Sequence, residues 1–469
     1  MVVYKNHSEK LALIRTGKLS LKENVSNFLS RIEQEKKLNA FNFVFTDAIE
    51  KADLIEKKIK ENKAGILAGM VIAIKDVLAI KDKPLTCSSK ILKNFESVYT
   101  STAVQKLIDQ DAIIIGKTNC DEFAMGSSNE NSAFGTVLNP IDNSRVPGGS
   151  SGGSAVAVAA NLCDASLGTD TGGSIRQPAA FCGIYGLKPT YGRVSRFGLT
   201  AYGSSFDTIG PFAKNIYDLS LILQVIAGKD LADSTSSDVC VPNYSLELNT
   251  NKKFRIGLPK EYYSSGLDIE IKEAIDEVCN KLKINGYELV DITLPHTEYS
   301  IPTYYILTTA EASSNLARYD GAHFGYRSKQ IADINEMYIK SRTEGFGSEV
   351  KRRIMLGTYV LSAGYYDAYY RKAQKVRRLL KQDFDNAFKE IDLILTPTTP
   401  TVAFKIGEKS TDPLEMYLMD IYTTSANLAG IPGINIPIGK NSEGLPIGMQ
   451  VMAKEFDELS LLQFSYQNF

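Results

Sequence analysis

Residues 147–154 read Pro-Gly-Gly-Ser-Ser-Gly-Gly-Ser, and residues 170–174, a little further along the chain, read Asp-Thr-Gly-Gly-Ser. Neither stretch suits the interior of a helix or a strand, because glycine is destabilising there. Between them, residues 155–162 are small and apolar, as in a buried helix, and residues 165–169 are typical of a strand. Two glycine-serine turns around a helix and a strand indicate an α/β fold, and they can bring Ser150 and Ser174 back toward each other.

The segments before this stretch alternate in the same way. Residues 21–35 and 102–109 carry apolar side chains at helical spacing, residues 47–62 are a charged helical segment, and residues 69–74 and 112–115 are short apolar runs typical of buried strands. Ser20, followed three positions later by Glu23, matches the capping box that begins a helix.

The second half of the chain continues with helices and strands, so the sequence predicts a single domain over residues 1–469. Residues 230–253 are rich in Ser, Asp and Asn and predict a surface loop. The other predicted elements are helices at 268–284, 303–318, 361–386 and 458–467, and strands at 184–190, 254–258, 289–294, 391–396, 434–438 and 447–452.

Composition excludes several classes of protein. The 469 residues include 53 Lys and Arg and 54 Asp and Glu, so the net charge of −1 offers no overall basic field for nucleic acid. No apolar run approaches the roughly 18 residues of a membrane span, and the first residues lack the apolar core of a secretory signal. The six cysteines include no Cys-x-x-Cys pair. We therefore expect a cytoplasmic protein with reduced thiols, without a metal and without membrane contact.

Three side chains in and before the glycine turns can together perform nucleophilic catalysis: Lys75, Ser150 and Ser174. A serine becomes a strong nucleophile when a base takes its proton, and a lysine serves as that base when burial lowers its pKa from about 10.4. Lys75 ends the apolar run 71–74, which places its stem in a buried strand. A proton relay from Ser174 through Ser150 to Lys75 is therefore physically sensible.

Other interpretations of these residues stay open from the residues alone. Residues 148–152 match the Gly-x-Ser-x-Gly turn of serine hydrolases, but Pro147 precedes them where that turn needs a strand. The histidine of such a triad would have to be His7, His296 or His323, and none lies in a motif. Glycine turns also bind phosphate groups, but the chain has neither Gly-x-x-x-x-Gly-Lys-[Ser/Thr] nor Gly-x-Gly-x-x-Gly after a strand, which disfavours this interpretation. The remaining alternative is a pair of tight turns with serine caps.

Taken together, segments 148–154 (GGSSGGS) and 170–178 (DTGGSIRQP) resemble the amidase signature family. The resemblance implies an α/β/α fold with a large mixed central sheet, a signature core at about residues 65–215 and a helical insertion region at about residues 265–390. It implies Ser174 as the nucleophile, Ser150 as a bridging serine with a cis peptide bond, and Lys75 as the base. The implied oxyanion hole consists of the backbone amides of Thr171, Gly172, Gly173 and Ser174.

Further segments resemble one subgroup of that family, the glutamine-hydrolysing subunits of bacterial tRNA-dependent amidotransferases. This resemblance implies hydrolysis of glutamine to glutamate and ammonia. The ammonia would pass to a partner, the B subunit, which uses ATP and Mg²⁺ to activate misacylated Glu-tRNA(Gln), and in many bacteria Asp-tRNA(Asn), while a small third chain, the C subunit, bridges the two. No cofactor is implied for this chain, and we expect its C-terminus to be shorter than in relatives. The segments are DEFAMGSS at 121–128, GLKPTYGRVS at 186–195, EASSNL at 311–316 and VKRRI at 350–354.

The same resemblance implies a pocket for glutamine. It assigns the α-carboxylate to Arg353, with its neighbour Arg352 as the alternative, and the ammonium group to Asp420. A free-standing amidase that acts on another small carboxamide is the alternative function, since the same catalytic core serves both. The remaining expected pocket residues are Tyr305, Met125, Gly126 and Ser127.

Overall fold

One mixed sheet of eleven strands runs through the molecule in the computed structural model, which describes residues 3–263, 266–409 and 413–469. Residue 265, where the predicted insertion region starts, lies outside the described residues. The strands are β1 Phe41–Val44, β2 Val71–Lys75, β3 Ile113–Thr118, β4 Ala165–Asp170, β5 Tyr185–Lys188, β6 Thr208–Ala213, β7 Arg255–Pro259, β8 Glu288–Ile292, β9 Leu393–Pro397, β10 Gly433–Lys440 and β11 Pro446–Ala453.

The strand order mixes early and late parts of the chain. It runs β1-β3-β2-β4-β6-β5-β10-β11-β9-β7-β8. β2 is parallel to β3 and β4, β7 is parallel to β8 and β9, and the other pairs are antiparallel. The prediction of a large mixed central sheet is therefore confirmed. Because β10 and β11 lie between β5 and β9, the last strands of the chain complete the middle of the sheet.

Helices cover both faces of this sheet. Alternate residues of β2 show this directly, since Val71 and Ala73 pack into one buried cluster while Ile72 and Ile74 pack into another. The helices are α1 His7–Arg15, α2 Leu21–Gln34, α3 Ala48–Lys60, α4 Thr102–Asp109, α5 Gly152–Ala159, α6 Arg176–Cys182, α7 Ile216–Ile226, α8 Ile269–Ile284, α9 Ser300–Asn315, α10 Ile334–Gly345, α11 Ser348–Leu361, α12 Lys372–Ala387, α13 Pro413–Leu418, α14 Thr424–Ala429 and α15 Glu458–Asn468.

Local sequence explains where several of these elements begin. The Ser20 hydroxyl accepts a hydrogen bond from the Glu23 amide at the start of α2, so the predicted cap is confirmed. α5 begins at Gly152, three residues before the predicted start, and residues 152–158 are all buried. Their small side chains let this helix lie close to the sheet directly after the first glycine turn.

The prediction of one long helix over residues 361–386 is wrong. α11 ends at Leu361, and Gly364 then takes a φ of +86°, which a helix does not allow. A π-helical turn at Tyr366–Arg371 leads into α12. β6 was not predicted, because Gly210 and Pro211 lie in its middle and both disfavour a strand.

Residues 228–254, which include the predicted surface loop at 230–253, contain neither helix nor strand, although Tyr244 and Leu248 within them are buried. In the described residues no helix has the length and apolar character needed to cross a bilayer. The same residues hold no group of three His, Cys, Asp or Glu side chains that could bind a metal ion.

Candidate active site

Lys75 is the last residue of β2, and its side chain is fully buried. Its Nζ donates to the hydroxyls of Ser150 at 2.7 Å, Ser151 at 2.9 Å and Thr169 at 2.8 Å. Burial disfavours the ammonium form and lowers the pKa of Lys75 to about 8. A lysine with this pKa is partly neutral near pH 8 and can accept a proton from one of the hydroxyls.

Ser150 lies in a tightly packed turn. The peptide bond between Gly149 and Ser150 is cis, and the Gly149 amide donates to Gln177 Oε1 at 2.9 Å. A Cβ at Gly149 would lie 2.1 Å from a carboxylate oxygen of Asp121, so the position admits no side chain. The Asp121 amide in turn donates to the Ser150 carbonyl oxygen at 3.1 Å. These contacts hold the Ser150 hydroxyl next to Lys75.

Ser174 precedes α6, across the glycine turn from β4, and the Ser151 amide donates to its carbonyl oxygen at 3.3 Å. The residue as a whole retains 8% exposure, whereas Ser150 is fully buried. Within the described residues the hydroxyls of Ser150 and Ser174 do not hydrogen-bond each other. Ser174 is thus the least buried of the three residues of the predicted relay.

Asp170 and Arg176 hold the turn that carries Ser174. Two guanidinium nitrogens of Arg176 donate to the two carboxylate oxygens of Asp170 at 3.0 and 3.1 Å, and both side chains are fully buried. Burial alone would raise the pKa of Asp170, but the charge and hydrogen bonds of Arg176 lower it to about 2. The turn is therefore fixed by a buried ion pair with two hydrogen bonds.

One of the four amides of the predicted oxyanion hole already has a partner within the protein. The Gly173 amide donates to Asp170 Oδ1 at 2.8 Å, so it is already engaged and is not available to a substrate oxygen. The Thr171, Gly172 and Ser174 amides remain as the candidate donors. Gly173 instead provides the backbone shape, since its φ of +134° is open only to glycine.

Arg353 is buried on the inner side of α11, and Arg352 lies outside. Arg353 Nη1 donates to the Tyr202 hydroxyl at 2.7 Å, and its Nε donates to Glu349 Oε1 at 2.8 Å. The guanidinium also lies 5.3–5.6 Å from the ring centres of Tyr202, Tyr305 and Tyr417. The side chain of Arg352 is 49% exposed and pairs with Glu349 from the outside. Of the two arginines, the geometry therefore favours Arg353 as a carboxylate ligand.

Asp420 is buried near Arg353 and accepts a hydrogen bond from the Ser127 hydroxyl at 2.5 Å. Burial raises the pKa of Asp420 to about 7, although the Ser127 hydrogen bond and the Arg353 charge oppose this rise. Met125 is fully buried, and a Cβ at Gly126 would collide with Asp121. Among these three predicted neighbours, Ser127 is the one whose side chain contacts Asp420.

Contacts between loops join this pocket to the glycine turn. The Thr423 hydroxyl, three residues after Asp420, donates to the Gly172 carbonyl oxygen at 2.7 Å. A Cβ at Gly172 would lie 2.5 Å from the hydroxyl of Tyr304, the neighbour of Tyr305. The structure thus brings the predicted catalytic residues and the predicted pocket residues to adjoining positions.

The histidines lie elsewhere. His296 Nδ1 is 3.0 Å from Asp383, and the exposed His323 pairs with Asp320 at 2.7 Å. His7 is buried in α1. Within the described residues none of the three contacts Ser150 or Ser174, so the geometry disfavours a histidine-dependent hydrolase.

Sequence reasoning missed five side chains of this site: Ser151, Thr169, Tyr202, Glu349 and Tyr417. The first two contact the Lys75 ammonium group, and the other three surround Arg353. Ser151 is next to a predicted residue, and Glu349 is one helical turn before Arg353, so spacing could have indicated both. Tyr202 and Tyr417 reach the site only through the fold.

The comparisons with known proteins agree with this geometry at the level of the family. A family model described as Amidase matches residues 23–462. The chain is 60% identical over 401 residues to the glutamyl-tRNA(Gln) amidotransferase A subunit of Koribacter versatilis, covering 85% of this chain and 84% of the relative. It is 54% identical to the same A subunit from a Sulfurihydrogenibium species, covering 100% and 97% of the two chains.

Solved structures give the same result for the fold. The crystal structure of the glutamyl-tRNA(Gln) amidotransferase A subunit from Thermotoga maritima is 38% identical with a TM-score of 0.76, over 96% of this chain and 93% of the other. The peptide amidase of Stenotrophomonas maltophilia is 30% identical with a TM-score of 0.82, over 98% and 95%. The chain therefore belongs to the amidase family, and within it to the group of glutamyl-tRNA(Gln) amidotransferase A subunits.

Proposed function

We propose that this protein is the glutaminase subunit of a tRNA-dependent amidotransferase and that Lys75, Ser150 and Ser174 form its catalytic triad. The observation that carries the proposal is the buried Lys75 amine, 2.7 Å from the Ser150 hydroxyl and with a pKa lowered to about 8 by burial. Membership of the group of amidotransferase A subunits supports glutamine as the substrate. Such a complex would act in the cytoplasm, where aminoacyl-tRNAs are made.

The reaction begins with proton transfer. Neutral Lys75 takes the Ser150 proton while Ser150 takes the Ser174 proton, and Ser174 Oγ forms a bond to the amide carbon of glutamine. Negative charge develops on the carbonyl oxygen, and amides of the glycine turn stabilise it. The Ser150–Ser174 hydrogen bond would form when substrate is bound, as catalytic hydrogen bonds often tighten only in the complex.

The second half of the reaction releases both products. The proton held by Lys75 returns through Ser150 to the leaving nitrogen, the carbon–nitrogen bond breaks, and ammonia departs. Water then attacks the glutamyl ester by the same relay, which releases glutamate and restores the Ser174 hydroxyl. Each proton that leaves Ser174 is thus returned to a product or to the enzyme.

Glutamine recognition rests on the charges in the pocket. Arg353 would bind the α-carboxylate, because its Nε and Nη1 are engaged by Glu349 and Tyr202 and the guanidinium is held in one orientation. Asp420 would bind the α-ammonium group. The ring of Tyr305 is stacked on that of Tyr417 with the ring centres 3.8 Å apart, and it would form the pocket wall between Arg353 and Asp420.

The partner subunits of the complex would supply the ATP-dependent step and the acceptor tRNA. Ammonia would pass to the B subunit, which binds ATP and Mg²⁺ and amidates misacylated Glu-tRNA(Gln), with the small C subunit between them. Asp-tRNA(Asn) is a second candidate acceptor. These partners are supported by the relatives' names, which describe A subunits of a glutamyl-tRNA(Gln) amidotransferase.

The direct test is ammonia release from glutamine by the complex with either wild-type chain or Ser174→Ala. We expect Ser174→Ala to lose at least 10³-fold in kcat, a size typical of removing a catalytic nucleophile. Ser234→Ala, at an exposed position in the loop at residues 228–254, is the control and should keep full activity. Equal release from wild type and Ser174→Ala would contradict the assigned nucleophile.

A free-standing amidase for another carboxamide is the second candidate, because the fold also matches the peptide amidase at a TM-score of 0.82. Arg353→Ala separates the two functions. It should raise the glutamine KM strongly but leave hydrolysis of a carboxamide that lacks an α-carboxylate unchanged. Glutamine turnover that is unaffected by Arg353→Ala would favour the free-standing amidase.

A further inference from the structure

The outer side of α11 is largely exposed in the described chain. Its inner side carries Arg353 and Gly357 and packs against α9. On the outer side, Met355 is 73% exposed, Leu356 39% and Tyr359 45%. Residues three and four apart lie on the same side of a helix, so these three side chains form one apolar strip.

Two tyrosines from the segment after α11 extend this strip. The ring of Tyr365 lies 4.2 Å from that of Tyr359, and the ring of Tyr369 lies 6.2 Å from Tyr359 and 6.0 Å from Tyr365. Both remain about two-fifths exposed. We refer to Met355, Leu356, Tyr359, Tyr365 and Tyr369 as the tyrosine face. Contiguous exposed apolar surface of this kind marks interaction sites more often than isolated apolar residues do.

Positive charge surrounds the tyrosine face. Five of the nine Lys and Arg in residues 351–381 are exposed, Arg353 and Arg377 are engaged in the interior, and the single carboxylate, Asp367, pairs with Arg371. Lys372 and Lys375 are exposed next to Arg371, and Arg352, which pairs with Glu349, is exposed at the other end. A surface that complements this region therefore has an apolar centre and carboxylates at its rim.

We propose that the tyrosine face is the docking surface for a partner protein of the amidotransferase complex, which inserts an apolar segment flanked by Asp or Glu. This inference rests on the proposed function, which makes the chain one subunit of a complex. Tyr, Met and Arg are the residues enriched in protein interfaces. A nucleic acid is less favoured, because a base needs a free ring face and the rings of Tyr359 and Tyr365 already lie against each other.

The test compares binding of the chain to the B and C subunits of its own organism. Wild type is compared with a Met355→Glu/Tyr359→Glu double variant, and Leu246→Glu is the control, because Leu246 is 76% exposed and lies outside the tyrosine face. We expect the double variant to bind at least tenfold more weakly, while the control binds like wild type. Both variants should keep the wild-type melting temperature and the glutamine hydrolysis of the isolated chain.

Hydrogen exchange of the wild-type complex gives a second readout that depends on no variant. Amides of residues 352–371 should gain protection on complex formation, and higher salt should weaken binding. Unchanged affinity of the double variant together with unchanged exchange would overturn the proposal. The proposal would also be overturned if the main effect of the double variant were that the isolated chain no longer bound tRNA or no longer associated with itself. Failure of the proposed function would appear separately, as glutamine hydrolysis that does not need Ser174.

Discussion

Lys75 sets the pH dependence of the proposed reaction. Its pKa is lowered to about 8 by burial, and the relay requires the neutral amine. Below this pKa, kcat should therefore fall about tenfold per pH unit, and above it kcat should level off. Thr169→Val removes one acceptor of the ammonium group, so it should lower the pKa and move the inflection to lower pH. A kcat that is independent of pH from 6 to 9, with chemistry rate-limiting, would contradict this role.

Asp420 sets the pH dependence of the glutamine KM, because its proposed role is to bind the substrate. Burial raises its pKa to about 7, and only the carboxylate attracts the substrate ammonium group. The glutamine KM should therefore fall as the pH rises through about 7 and change little above it. Steady-state kinetics across pH 6–8 measure this directly. Asp420→Asn should raise KM and remove the dependence, and a wild-type KM that is flat across this range would argue against the assignment.

Single residues also show which parts of the candidate site can be predicted from the sequence. The two relay serines were predicted from the glycine turns and Lys75 from the apolar run that it ends, because these features are local. The engaged amide of Gly173 could not be foreseen, since it depends on where the Asp170 carboxylate turns after folding. The same holds for Tyr202, which lies 151 residues from Arg353 in sequence and contacts it only in the folded chain.

Helix packing determines where Arg353 lies. Gly357, one turn after it, contacts α9 so closely that a Cβ would lie 1.9 Å from the Thr309 carbonyl oxygen. Gly357→Ala should therefore push α11 outward and raise the glutamine KM more than it lowers kcat. The overpacking should cost about 1–3 kcal/mol, partly offset by about 1 kcal/mol of helix propensity. Thr358→Ala, on the exposed side, is the control, and kinetics identical to wild type for both variants would contradict the expectation.

Elements with a simple pattern were predicted well, and irregular ones were not. α4 and β4 have clear apolar patterns and appear within one residue of their predicted positions. The break after Leu361 was missed because Ser362, Ala363 and Gly364 interrupt an otherwise helical pattern only briefly. A local pattern cannot show that the chain leaves the helix there to expose Tyr365 and Tyr369.

The whole molecule depends on contacts between distant parts of the chain, and Arg176 makes several of them. Besides Asp170, it donates to Asn427 Oδ1 at 2.6 Å and to Gln450 Oε1 at 2.5 Å, about 250 or more positions away. These bonds join the Ser174 turn to α14 and β11. Sequence could predict a mixed sheet, but it could not predict that the last strands lie at its centre, since no local feature encodes strand order.

Arg176→Leu should therefore destabilise the entire fold. Loss of one partner of a buried ion pair costs about 3–5 kcal/mol, because Asp170 is left as an uncompensated charge. In the wild type the pKa of Asp170 is lowered to about 2, so its stabilising effect is present at neutral pH and is lost only as the pH falls through about 2. Without Arg176, burial raises that pKa, and the variant should recover part of its loss of stability relative to wild type as the pH falls from 7 to 5.

Urea unfolding at the two pH values measures this, with Arg176→Leu/Asp170→Asn as the comparison. At pH 7 the double variant should lose less stability than Arg176→Leu, and its stability should recover little between pH 7 and pH 5. If both variants lost the same stability at both pH values, the charge of Asp170 would not be the cause of the destabilisation.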